Sequence, residues 1–145
     1  MNKGNIIIGI VTLLVFVGIG WLAATQNTGS QNTNTEGLPP TSVAGHVEQS
    51  PASHILSEPM SEVIQKHMLE HADGEGNPGV IVQYNCTDFT CEDNLVEKLT
   101  AIVEDYPEYV YLAPNQYDGK IILTRFRERE VMEEFDESAI RNFIE

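Results

Sequence analysis

From Ser57 onward the apolar positions fall into segments with readable periods. Val63, Ile64, His67, Met68 and His71 follow the i, i+1, i+4, i+5, i+8 spacing of one helical stripe, and Pro59 suits a first helical turn. Both histidines therefore share the apolar stripe. The helix must stop in Gly74 to Gly79, whose glycines and proline forbid continuation. Val80 to Tyr84 is apolar except at Gln83, which predicts an interior strand. Thr90 with Asp93 three residues on gives a helix start, and Leu95, Val96, Leu99, Ile102, Val103 and Tyr106 share one face before Pro107.

The remaining elements are shorter. Tyr109 to Leu112 reads as a second strand, reached by a crossover long enough to make the pair parallel. Pro114 to Gly119 turns the chain, and Lys120 to Thr124 is a third strand. The charged run Arg125 to Glu134 reads as an edge strand or a solvated loop. Asp136 caps a last helix with Ala139, Ile140, Phe143 and Ile144 inward. Helix, strand, helix, strand, strand, helix is a small single α/β domain with a mixed sheet. A cysteine after a buried strand and before a helix makes it similar to thioredoxin-like folds.

A different pattern precedes this domain. Ile6 to Ala24 carries no charge over 19 residues, enough for about 28 Å of helix and close to the thickness of a bilayer core. With Lys3 before it and no Lys or Arg until Lys66, the positive-inside rule keeps residues 1–5 in the cytoplasm and exports the rest. Small residues for a cleavage site are poorly placed, so the segment reads as an uncleaved single-pass anchor in the cell membrane. Residues 25–35 lack any large apolar side chain and predict a flexible linker, followed by an exported domain over 36–145. Leu38, Val43, Val47, Ile55 and Leu56 within the proline-containing stretch before Ser57 suggest an irregular strap lying on that domain.

Charge narrows the partners. With 22 acidic against 8 basic residues and a net charge of −14, the chain lacks the basic stripe that nucleic acid requires. The acidity favours solubility and is compatible with attraction of cations.

Candidate chemistry concentrates between His67 and Cys91. His67 and His71, four apart, project from one helix face, Met68 lies beside them, and Cys86 closes the first strand. Imidazole, thioether and thiolate suit a soft or borderline ion of the copper, zinc or mercury type. His67, His71 and Cys86 form the predicted ligand set, completed by Met68 or, as the family resemblance given below implies, by His46. His-Met-Leu-Glu-His is not the zinc-protease order, and Gly74 to Gly79 lacks the lysine of a phosphate loop. No catalytic constellation stands out among so many acids.

Cys86 and Cys91 support two competing readings. In an exported location a Cys86–Cys91 disulfide is the natural pairing, leaving a non-catalytic envelope interaction module. A thiol-disulfide redox protein is the other, with Cys91 near a helix N-terminus, although Asp88, Glu92 and Asp93 oppose a thiolate. A disulfide would remove Cys86 from any metal site. His54 reads as a solvated loop side chain, and Asn85-Cys86-Thr87 fits an N-glycosylation pattern.

Residues 36 to 145 also resemble an uncharacterised family catalogued as domain of unknown function 3105. The resemblance rests on Pro39-Pro40-Thr41-Ser42, Gly45-His46, His67-Met68-Leu69-Glu70-His71 and Gly79-Val80-Ile81-Val82-Gln83-Tyr84-Asn85-Cys86, taken in order. It continues through Leu95-Val96-Glu97-Lys98-Leu99, Tyr106-Pro107, Leu112-Ala113-Pro114, Ile121-Ile122-Leu123-Thr124 and the ending Phe135-Asp136-Glu137 to Phe143-Ile144. It departs at Val43-Ala44, at the lengthened turn after His71 and at Arg125-Phe126-Arg127. The resemblance implies that the strap belongs to the domain and brings His46 towards the histidine helix; it implies no established reaction.

Overall fold

A computed structural model describes residues 37–72 and 77–145. The predicted cytoplasmic end, anchor and linker (residues 1–5, 6–24 and 25–35) lie outside the described residues, as does most of the glycine turn. Among the described residues no helix is long and apolar enough to cross a membrane.

The domain is a small α/β fold with a mixed four-stranded sheet and three helices. In chain order these are α1 (Glu62–His71), β1 (Val80–Tyr84), α2 (Leu95–Val103), β2 (Val110–Pro114), β3 (Ile121–Arg125), β4 (Glu128–Met132) and α3 (Glu137–Ile144). The strand order is β2-β1-β3-β4. β1 runs parallel to β2 with Val82 opposite Leu112, and antiparallel to β3 with Val82 opposite Leu123. The apolar run Val80 to Tyr84 is therefore the interior strand its composition demands.

One expectation is met and one boundary is corrected. The charged run after β3 takes the edge-strand alternative, because Arg125 pairs with Glu128 across a two-residue turn at Phe126-Arg127. Arg127, the second residue of that turn, sits in the left-handed region at φ 65°. Helix α2 starts at Leu95, not after Thr90. The turn from Cys86 to Asn94 uses those residues, and Leu95 N–H donates to the Glu92 carbonyl at 3.1 Å. Asp136 does cap α3, accepting from Ala139 N–H at 3.0 Å.

Alternation along the strands separates two cores. Val80, Val82, Val110, Leu112, Ile121 and Leu123 face α2 and α3, where Leu95, Leu99, Ile140 and Phe143 close the larger cluster. Ile81, Tyr111 and Ala113 face the other way, onto Met60, Met68, Leu69 and Ala72. Val43 and Leu56 of the strap pack against this second cluster. Strap residue Ile55 forms a parallel bridge to Leu112 of β2, with Leu56 N–H donating to the Leu112 carbonyl at 2.8 Å and Leu112 N–H to the His54 carbonyl at 2.7 Å.

The chain re-enters the sheet at Gly79 under tight constraint. Its N–H donates to the Met68 carbonyl at 3.0 Å, and a Cβ there would stand 2.5 Å from Ala72 Cβ and 2.7 Å from the Met68 carbonyl oxygen. Backbone cannot yield as a flexible side chain can. Gly79→Ala is expected to cost about 1–3 kcal/mol through this overpacking. Urea unfolding measures it, and an unchanged midpoint contradicts the close approach.

Candidate metal site

Helix α1 presents His67 and His71 one turn apart, and the strap carries His46 onto them. Gly45, at φ 79°, makes the left-handed turn that precedes His46, a conformation that costs glycine little. The three imidazoles form a near-equilateral triangle. Ring centroids lie 5.4 Å apart for His46 and His67, 5.6 Å for His46 and His71, and 5.5 Å for His67 and His71. Three imidazoles on one tetrahedral ion, with metal–nitrogen bonds near 2.0–2.1 Å, would put their centroids about 5.2 Å apart. The triangle has the size of a metal centre.

Two carboxylates stand between the rings. Ligand atoms of His46, Glu48 and His67 all lie within 4.8 Å of one another, and so do those of His46, Glu70 and His71. His46 belongs to both groups, and its hydrogen bonds distinguish them. Nδ1 lies 2.9 Å from the Val43 carbonyl, which can only accept, so Nδ1 carries the proton. Nε2, 2.8 Å from Glu48 Oε1, is then the nitrogen whose lone pair is left for a cation. The Val43 carbonyl thus orients the ring as an outer-shell partner of a metal-binding histidine does. Glu70 Oε2, 3.2 Å from the same Nδ1, adds negative charge on the protonated side.

His67 supplies the second nitrogen. It is only 6% exposed, and its Nδ1 is buried without a hydrogen-bond partner among the described residues. Leaving such a group unsatisfied costs about 1–3 kcal/mol. Nδ1 lies 3.6 Å from Glu48 Oε2, beyond hydrogen-bond range but near the separation of about 3.4 Å between two ligands on one tetrahedral ion. His71 is more open, a third of its side chain being exposed, with Nε2 3.7 Å from Glu70 Oε2. Its ligand atom groups with those of His46 and Glu70.

The electrostatics follow from this arrangement. The Val43 carbonyl bond, then the Glu48 hydrogen bond, hold the His46 imidazolium above the ordinary histidine range, with burial opposing and the Glu48 and Glu70 charges assisting. The same hydrogen bond to His46 holds the Glu48 carboxyl below its usual range, against some desolvation. In the imidazolium form of His46 the second proton lies between Nε2 and Glu48.

The predicted ligand set changes accordingly. Cys86 is not available to an ion: its Sγ is bonded to Cys91 across a Cα–Cα distance of 5.4 Å, well suited to a disulfide. The turn after β1 brings the two sulfurs together, so a His/Cys site gives way to a His/Glu group. Met68 is fully buried among Leu69, Ile81 and Tyr111 and serves packing. Glu48 and Glu70 were missed; among 22 acids the only sequence signal was their closeness to His46 and His71. His54 is not the solvated side chain expected, for its Nδ1 is buried and unpartnered among the described residues. Asn85 is 1% exposed and donates its amide to Asp88 Oδ2 at 2.9 Å and the Tyr117 carbonyl at 3.0 Å, so the glycosylation pattern is occupied by the fold itself.

Two expectations follow. Because the His46 value is raised, its contribution to stability is fully present below about pH 6.5 and is lost as pH rises through the higher folded value. Imidazole proton chemical shifts should show the His46 midpoint above 6.5 without metal, moving down in Glu48→Gln while the Val43 bond retains part of the elevation. A midpoint at or below 6.5 contradicts the bridge. Separately, closing the loop from Cys86 to Cys91 stabilises the chain by about 2 kcal/mol on chain-entropy grounds. The Cys86→Ser/Cys91→Ser variant should lose that much in urea unfolding, whereas an unaltered midpoint would show the bond idle.

No known family model matches this chain, and neither a curated protein nor a solved structure matches it, so its function is read from the site.

Proposed function

We propose that this domain binds a borderline divalent ion, copper(II) or zinc, through His46 Nε2, His67 Nδ1 and Glu48, with His71 completing the set. The observation that carries this reading is the buried, unpartnered His67 Nδ1 aimed at the carboxylate that also holds His46. Two neutral imidazoles and a carboxylate suit zinc and copper(II). A mercury-type ion would want a thiolate, and the Cys86–Cys91 bond takes up both cysteines of the chain. The ion takes the place of the proton between Nε2 and Glu48, so binding releases a proton.

We place the domain outside the cytoplasm on a single-pass anchor at residues 6–24 and align it with the domain of unknown function 3105 family. The disulfide and the long apolar run support export; the ordered motifs from Pro39 to Ile144 support the family reading.

A second reading is favoured by one observation. The disulfide lies in the β-to-α turn of a β1-α2-β2 unit, with Cys86 exposed, a placement shared with thioredoxin-like redox proteins. Asp88, Glu92 and Asp93 in the same turn oppose the thiolate that exchange requires. A structural bond in an envelope interaction module fits this turn better than a redox centre.

Calorimetric titration of the full-length chain with zinc chloride should give one equivalent bound. His46→Ala and His67→Ala should each weaken binding by more than about 100-fold, beyond the roughly 10–100-fold loss typical of an outer-shell partner. Affinity should fall as pH drops through the raised His46 value, because the proton competes for Nε2. Full zinc affinity in His67→Ala would contradict the assignment.

A further inference from the structure

The strap has two backbone-anchored ends and a middle that lacks them. At its start the carbonyls of Gly37, Pro39 and Thr41 accept from Asp118 N–H at 2.6 Å, the Arg129 guanidinium at 2.6 Å and Arg127 N–H at 2.8 Å. These bonds fasten residues 37–41 to the β3–β4 side of the sheet. At its end His54 and Leu56 are hydrogen-bonded to Leu112 of β2. Residues 43–53 bridge the two sides of the sheet.

Between those ends the chain is largely exposed. Ala44, Gly45, Val47, Glu48, Gln49 and Ser50 all face solvent, and Val47 is 42% exposed despite its apolar side chain. Gln49 N–H and Ile55 N–H are satisfied locally, by the Val47 carbonyl and Ser53 Oγ. Among the described residues the polar contacts that leave this stretch are those of His46 with Glu70 at 3.2 Å and of Glu48 with His67 at 3.6 Å. Val43 adds one apolar contact to the second core. Each of these contacts reaches a solvent-open carboxylate at 3.2 Å or more, so it holds weakly and is screened by salt.

We infer that the ion is a staple: bound at once by His46 and Glu48 of the strap and His67 of α1, it fastens the middle of the strap to the helix, and its loss frees that loop while the rest of the domain stays folded. The inference rests on the metal reading above, and deepens it by giving the ion a structural consequence. Ligands from the two segments are 19 or more positions apart in sequence, as His67 against His46 and Glu48 shows. Coordination therefore closes a loop that is otherwise closed only by weak contacts. The bonds beneath it belong to the sheet and need no ion.

Amide hydrogen exchange of the full-length chain in mild detergent, with and without zinc chloride, tests this, with bound zinc quantified on the same sample. If the loop opens only from the ion-free form, free zinc at 100 times its dissociation constant should slow exchange at residues 44–50 about 100-fold. Without zinc, residues 44–50 should exchange far faster than the buried amides of α2, which open only with the whole domain, and a chelator should restore the fast strap rates. His46→Ala should remove the zinc-dependent slowing while leaving α2 protection intact; slowing that survives this substitution overturns the assignment of His46 as the pin. One equivalent of zinc bound with unchanged strap exchange overturns the staple but leaves the ion site standing. Strap amides as well protected as those of α2 in the zinc-free chain overturn it too, since the loop then opens only with the whole domain. Absence of bound zinc overturns the metal reading and the staple together.

Discussion

Both faces of the four-stranded sheet are apolar, and three helices do not suffice to cover them. Helices α2 and α3 close one face together, where Leu99, Phe143 and their neighbours pack on alternate strand residues. The opposite face receives only α1. A helix about 10 Å wide cannot cover four strands spaced about 4.8 Å apart. The strap supplies the missing cover with Val43 and Leu56, and that requirement lays His46 beside α1. The site is thus a by-product of how the second core is closed.

That origin explains its electrostatic character. His67 lies on the border between the buried and open faces of α1, desolvated enough to leave Nδ1 without a partner and close enough to the strap to meet Glu48. His46 is set by its own backbone, because the Val43 carbonyl fixes which nitrogen keeps the proton. Glu48 remains open to solvent and can move the few tenths of an ångström by which an ion is larger than a shared proton. One nitrogen is prearranged, one is unsatisfied, and the carboxylate between them is free to adjust.

Much of this was legible in the chain itself, for identifiable reasons. The stripe through Val63, His67 and His71 gave α1, and the uninterrupted run at Val80 gave the interior strand, because both are local patterns with one physical reading. The cap of helix α2 lies four residues later than expected, at Asn94 and not Thr90, since the cysteine-bridged turn competes for Thr90 to Asp93 and periodicity carries no trace of a covalent bond. Cys86 looked like a ligand on the same ground that made it a disulfide partner, a sulfur at the end of a strand. Glu48 was invisible as a site residue because its role depends on the strap's path across the sheet. His46 was reachable through the family resemblance, but Nε2 as its ligand atom depends on a hydrogen bond within the loop.

The ion and its ligands can be located together. A crystal of the zinc-loaded chain, with anomalous diffraction collected above and below the zinc absorption edge, should show one strong peak bonded to His46 Nε2 and His67 Nδ1 at about 2.0–2.1 Å, with a Glu48 oxygen as a third ligand. The Cys86–Cys91 bond should remain intact beside it. A loaded crystal with no peak between the strap and α1, or with the zinc held elsewhere and His67 Nδ1 still unpartnered, would contradict the account.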